Sequence, residues 1–116
     1  MARSKIPDPL KRRHLVGGST SPAQSLAIAE AYLAEGRVVE ALDFLRKAEA
    51  SERLAELRQQ AVEQGDLFLL RSVAHAVGEV PGRSEWVALA DAASAAGKER
   101  YASEARRLAE RIEDDE

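Results

Sequence analysis

The stretch Ala31–Ala48, AYLAEGRVVEALDFLRKA, decides how the chain is read. Apolar residues run at helical spacing up to Gly36. A second set follows it, with Val38, Ala41, Leu42, Leu45 and Ala48 making one broad stripe and Phe44 off its centre. Glycine enters the left-handed conformation that ends helices at no steric cost, so Gly36 predicts a tight turn between two helices. Asp43 and Lys47 stand four apart in the second helix, the spacing of a helical ion pair.

Working backwards, Ser21-Pro22-Ala23-Gln24 is a helix start. Ser21 caps, Pro22 occupies the first turn where its missing N–H costs nothing, and Gln24 closes a capping box. Leu26, Ala29 and Leu33 recur at helical spacing in this first helix, as do Ile28, Ala31 and Tyr32. Working forwards, a third helix starts near the cap Ser51 and presents Leu54, Leu57, Ala61 and Val62 before Gly65. A fourth runs from about Asp66 to Val77. Its LFLL run has strand propensity, but the apolar pattern continues too far for a strand. GEVPGR, residues 78–83, is a loop. Ser84 then caps a fifth helix with Trp86, Leu89, Ala90 and Ala93 inward. Gly97 breaks it, and a sixth helix from about Glu99 to Ile112 presents Ala102, Ala105, Leu108, Ala109 and Ile112. The expectation is an all-α fold: six antiparallel helices as three stacked hairpins over residues 21–113. An extended basic tail, residues 1–20, precedes them, and an acidic terminus, 114–116, follows.

Gly36, Gly65 and Gly97 lie 29 and 32 residues apart, each between two apolar-periodic segments. Periods of this length mark helical-hairpin repeats, in which each hairpin covers its neighbour's apolar face. Tyr32, Gly36, Val38, Ala41, Leu45 and Ala48, with Ile28 and Ala29 before them, resemble the tetratricopeptide repeat. Trp86, Leu89, Ala90, Gly97, Ala102 and Ala109 resemble it again in the third unit. The match departs at Ser25, where the pattern has a large aromatic, at Arg58, Ala61 and Leu70 in the second unit, and at Glu99 and Arg106 in the third. The resemblance implies an α-solenoid that binds proteins, often a short peptide or a helix in its groove. It also implies a last helix whose charged side, Arg107, Glu110 and Arg111, serves as a solubilising cap.

The chain has 116 residues, enough for one compact domain. It has 22 alanines but only two Phe, two Tyr and one Trp, so close helix packing is easy and the core is thin. There is no cysteine, hence no disulfide and no thiolate ligand. No apolar run has the length of a membrane span, and no apolar core follows the basic start of a signal peptide, so the expected location is cytoplasmic. The net charge of −3 hides an asymmetry. Residues 1–21 hold five basic residues against Asp8, a net of +4, so the remainder sums to −7.

No constellation of residues predicts catalysis, a cofactor or a metal. His14 and His75 lack a second histidine at i,i+4, the carboxylates stand at polar helix positions, and no phosphate-binding loop or nucleophile elbow occurs. The expected function is non-enzymatic: a protein-interaction module or adaptor. IPDPLKRRHL, residues 6–15, reads as a docking segment, in cis or on a second copy, with Ile6, Leu10 and Leu15 around the basic Lys11, Arg12 and Arg13. Arg58 is a further candidate, either as a clamp for a partner's carboxylate or in an internal pair with Glu30 or Glu63. Two alternatives remain open. One is a nucleic-acid accessory protein contacting phosphate through the tail, which lacks an aromatic platform; the other is a self-assembling structural protein.

Overall fold

The computed structural model describes residues 21–112; the tail at 1–20 and the acidic residues 113–116 lie outside them. The described residues form six α-helices and no strand: α1 Pro22–Ala34, α2 Val38–Lys47, α3 Ser51–Gln64, α4 Leu67–Val77, α5 Arg83–Ala95 and α6 Glu99–Arg111. Helix α1 packs on α2 and α5 packs on α6, the hairpin pairings expected of a helical repeat. The chain divides into two compact units, one ending at Leu54 and the other beginning at Ala55, so the division falls inside α3.

One turn recurs in all three hairpins. Gly36, Gly65 and Gly97 have φ of +75°, +65° and +78°. Each donates its N–H to the carbonyl three residues back: Leu33 (3.0 Å), Val62 (3.1 Å) and Ser94 (3.1 Å). The next residue then donates five back, Arg37 to Tyr32, Asp66 to Ala61 and Lys98 to Ala93, at 2.9, 2.9 and 2.8 Å. This is the Schellman arrangement, which satisfies the last carbonyls of a helix. The residue after each glycine is also the N-cap of the following helix, so a single glycine and one cap make the whole connection. Gly65 has a second reason to be glycine. A Cβ there would lie 2.5 Å from the backbone N and Cα of Ala93.

In the first unit, Tyr32 and Phe44 are both fully buried and stack at 5.7 Å between centroids with 19° between planes. Phe44 therefore lies in the core rather than off it, because an aromatic partner one helix away rewards turning it inward. The Arg37 guanidinium lies 5.0 Å above the Tyr32 ring and roofs the pair. Helix α1 splits the two apolar sets read from its spacing. It buries Ser25, Ile28, Ala29 and Tyr32, while Leu26 stays 38% exposed. Ser21 caps α1 as expected, accepting the Gln24 N–H at 3.1 Å.

In the second unit, α4 buries Leu67, Leu69, Leu70, Val73 and Ala74, which confirms a helix where LFLL alone suggested a strand. Asp66 caps it, its carboxylate accepting the Leu69 N–H at 3.0 Å. Helices α5 and α6 meet along small residues, with Ala90, Ala93, Ala102, Ala105 and Ala109 all buried. Trp86 is buried too and is a core anchor rather than a surface aromatic. The cap of α5 differs from expectation. The N-cap is Gly82, and Ser84 lies exposed within the first turn. The reason is Glu85, whose carboxylate accepts the Gly82 N–H at 3.1 Å and so supplies the cap from the third helical position.

Candidate interaction surface

Of the candidate binding residues named from sequence, Arg58 is the one the described region contains. Ile6, Leu10, Lys11, Arg12, Arg13 and Leu15 lie outside it, as does His14. Arg58 projects from α3 and makes a two-pronged ion pair with Glu85 of α5. Nε donates to Oε2 at 2.6 Å and Nη2 to Oε1 at 2.8 Å. Its Nη1 donates to the carbonyl of Glu79 at 3.1 Å. The sequence pointed to Glu30 or Glu63 instead. Glu30 pairs with Arg53 at 3.0 Å, and Glu63 accepts from Gln59.

The consequence is a pinned loop. Gly78 ends α4 in the left-handed conformation and donates to Ala74. The Glu79 carbonyl is held by Arg58, and the Gly82 N–H by Glu85, which Arg58 also holds. Three of the five guanidinium N–H groups are thereby used inside the chain. The pair tunes both partners. The hydrogen bond to Arg58 holds the Glu85 carboxyl below its ordinary range, outweighing partial burial, and the same bond raises Arg58. Between the two pinned ends, Val80 is 88% exposed.

Other apolar side chains also remain on outer faces. In the first unit these are Leu26 on α1 and Val39 on α2; in the second, Phe68 on α4 and Val87 on α5. Phe68, at 57%, is the bulkiest. Arg71 and His75 follow it at i+3 and i+7, which places all three on one exposed face of α4. That face carries an aromatic ring and two basic groups, and the only carboxylate of α4 and its cap is Asp66. Nothing in the sequence pattern marked Phe68, because it sits inside a continuous apolar run whose other members are buried.

Arg107 and Glu104 pair at 2.9 Å on the exposed side of α6, and Arg107, Glu110 and Arg111 are all exposed. Among the described residues, no three His, Cys, Asp or Glu side chains are grouped to hold a metal ion. None of the described helices is long and apolar enough to cross a membrane. No family model, curated protein or solved structure matches the chain. What stands on the geometry alone is that the described residues are all α, six helices with hairpin-like pairings and helical-repeat character.

Proposed function

We propose that the chain is a non-enzymatic protein-interaction module of the tetratricopeptide-like kind, acting as an adaptor in a reducing compartment such as the cytoplasm. The observation that carries this reading is the outer face of α4, where Phe68 is 57% exposed beside Arg71 and His75. Its helix is already anchored by five buried residues on the other side, so the fold does not need Phe68. An aromatic ring flanked by basic groups suits an acidic protein segment with one apolar anchor. Residues 6–15, with Ile6, Leu10 and Leu15 around Lys11, Arg12 and Arg13, act as a docking segment in this reading. Arg58 keeps the loop at 78–82 and α5 in place for the partner.

Affinity capture from native lysate tests the proposal, comparing the wild-type chain with Phe68→Asp and Arg71→Glu. The expected result is a stoichiometric protein that survives nuclease treatment and is lost from both variants. Recovery that disappears with nuclease refutes it in favour of nucleic acid, and equal recovery by the variants removes α4 from the contact. Light scattering of the purified chain across a concentration series excludes or establishes self-assembly.

A further inference from the structure

Helix α1 is apolar nearly all round. Of its 13 residues, PAQSLAIAEAYLA, only Gln24, Ser25 and Glu30 are polar. It buries Ser25 and leaves Leu26 exposed, together with Ala23, Ala27 and Ala34 on the same side. A helix of this kind is normally covered on both sides. The one charge on the exposed side is Glu30, already paired with Arg53 of α3 at 3.0 Å, and Glu35 follows at the helix end; α1 itself has no basic residue.

We propose that the docking segment of the same chain, Ile6 to Val16, covers this outer face of α1 and runs back along it. The inference rests on the docking reading of residues 6–15 given above. Three observations select this occupant. The segment is joined to the start of α1 by Gly17-Gly18-Ser19-Thr20, four residues able to span about 13 Å and to reverse the chain. Helix α1 is about 20 Å long, and eleven residues cover all of that length when extended (up to about 36 Å) and most of it when helical (about 17 Å). The charges match as well as the lengths. With the segment extended, Leu15 and Val16 fall beside Leu26 and Ala27, and the basic centre Lys11–Arg13 falls toward Glu35 at the end of α1, while Glu30 keeps Arg53 as its partner. The acidic end of α1 and the basic segment then neutralise one another.

The chain has no cysteine, so a single spin label can be placed by substitution. The full chain carrying Asp8→Cys, labelled there, is compared by amide NMR with its reduced form. The expected result is selective broadening of Leu26, Ala27, Glu30 and Ala34. It should vanish in the Leu26→Glu variant, whose unchanged chemical shifts elsewhere show that the fold is intact. A sample mixing labelled chain with isotopically marked, unlabelled chain should show no broadening. Broadening confined to α4, or appearing in the mixed sample, overturns the seat on α1 in cis while leaving residues 6–15 a docking segment. Broadening of no helix overturns both.

Discussion

Replacing Arg58 by Met keeps the side-chain stem on α3 and removes three donors at once. The ion pair is 18% exposed on the Arg58 side and 30% on the Glu85 side. Hydrogen bonds to a charged group contribute about 1.5–3 kcal/mol where they are sheltered, and exposed pairs about 0.2–1 kcal/mol. Partial exposure places this pair between them, so Arg58→Met is expected to cost about 1–2 kcal/mol. At about 4–8 °C per kcal/mol for a domain of this size, Tm should fall by roughly 4–16 °C. Trp86, the only tryptophan and next in sequence to Glu85, reports the second unit directly by fluorescence during urea unfolding. Glu85→Gln keeps an acceptor for the Gly82 N–H but loses the charge, so a double-mutant cycle isolates the pair. The coupling should be about 1 kcal/mol. Acid adds a second readout. Glu85 is held below its ordinary value of 4.5, so its stabilisation is complete above that pH and is lost as pH falls through the lower folded-state value. Arg58, raised further by its hydrogen bond to Glu85, contributes over the whole working range and loses its contribution only above it. Glu85→Gln should therefore flatten the acid loss of stability of the second unit below its ordinary value of 4.5. Additive single mutants, within about 0.3 kcal/mol, or an unchanged acid slope would refute the claim that this pair pins the loop.

Gly65→Ala should destabilise the second unit by more than about 2 kcal/mol, because its Cβ meets the Ala93 backbone at 2.5 Å as well as a φ of +65°. Gly36→Ala, with open space around it, should cost only about 1–2 kcal/mol from the positive φ; equal losses in denaturation would mean the close approach is unimportant. Phe44→Ala removes half of the buried aromatic pair and should cost about 3–5 kcal/mol, seen as loss of α1–α2 helicity by circular dichroism or hydrogen exchange. Glu49 holds φ at +54° while donating to the Arg46 carbonyl in the turn after α2, so Glu49→Gly should stabilise by about 0.5–1 kcal/mol in urea titration; a loss would show that its side chain matters more than its backbone.

What was legible in the sequence is what local chemistry encodes. Ser21-Pro22, Gly36, Asp66 and Gly97 each act within a few residues of themselves, so the helix count and the turns could be read directly. Arg58 failed differently. Its residue type and its place at a helix interface were apparent, but its carboxylate partner lies 27 residues away and was reached only through the loop geometry. Glu49 shows that the glycine signal is incomplete, since the turn between α2 and α3 uses the same backbone conformation without one. Phe44 turned inward because of Tyr32 on another helix, and that pairing is invisible to the periodicity of either helix alone.

The surface was the least legible part. Periodicity reports how many apolar residues share a side, but α1 and α4 have apolar residues to spare, and it cannot say which will remain outside. In α1 the rotation that buries Tyr32 against Phe44 carries Ser25 in and Leu26 out. In α4 the five buried positions leave Phe68 on the opposite side. Both exposures follow from inner faces that were satisfied first. The remaining apolar area is therefore free to change without loss of the fold, which is the property a contact surface requires. Phe68→Asp should accordingly leave stability within about 0.5 kcal/mol of wild type while altering what the surface binds.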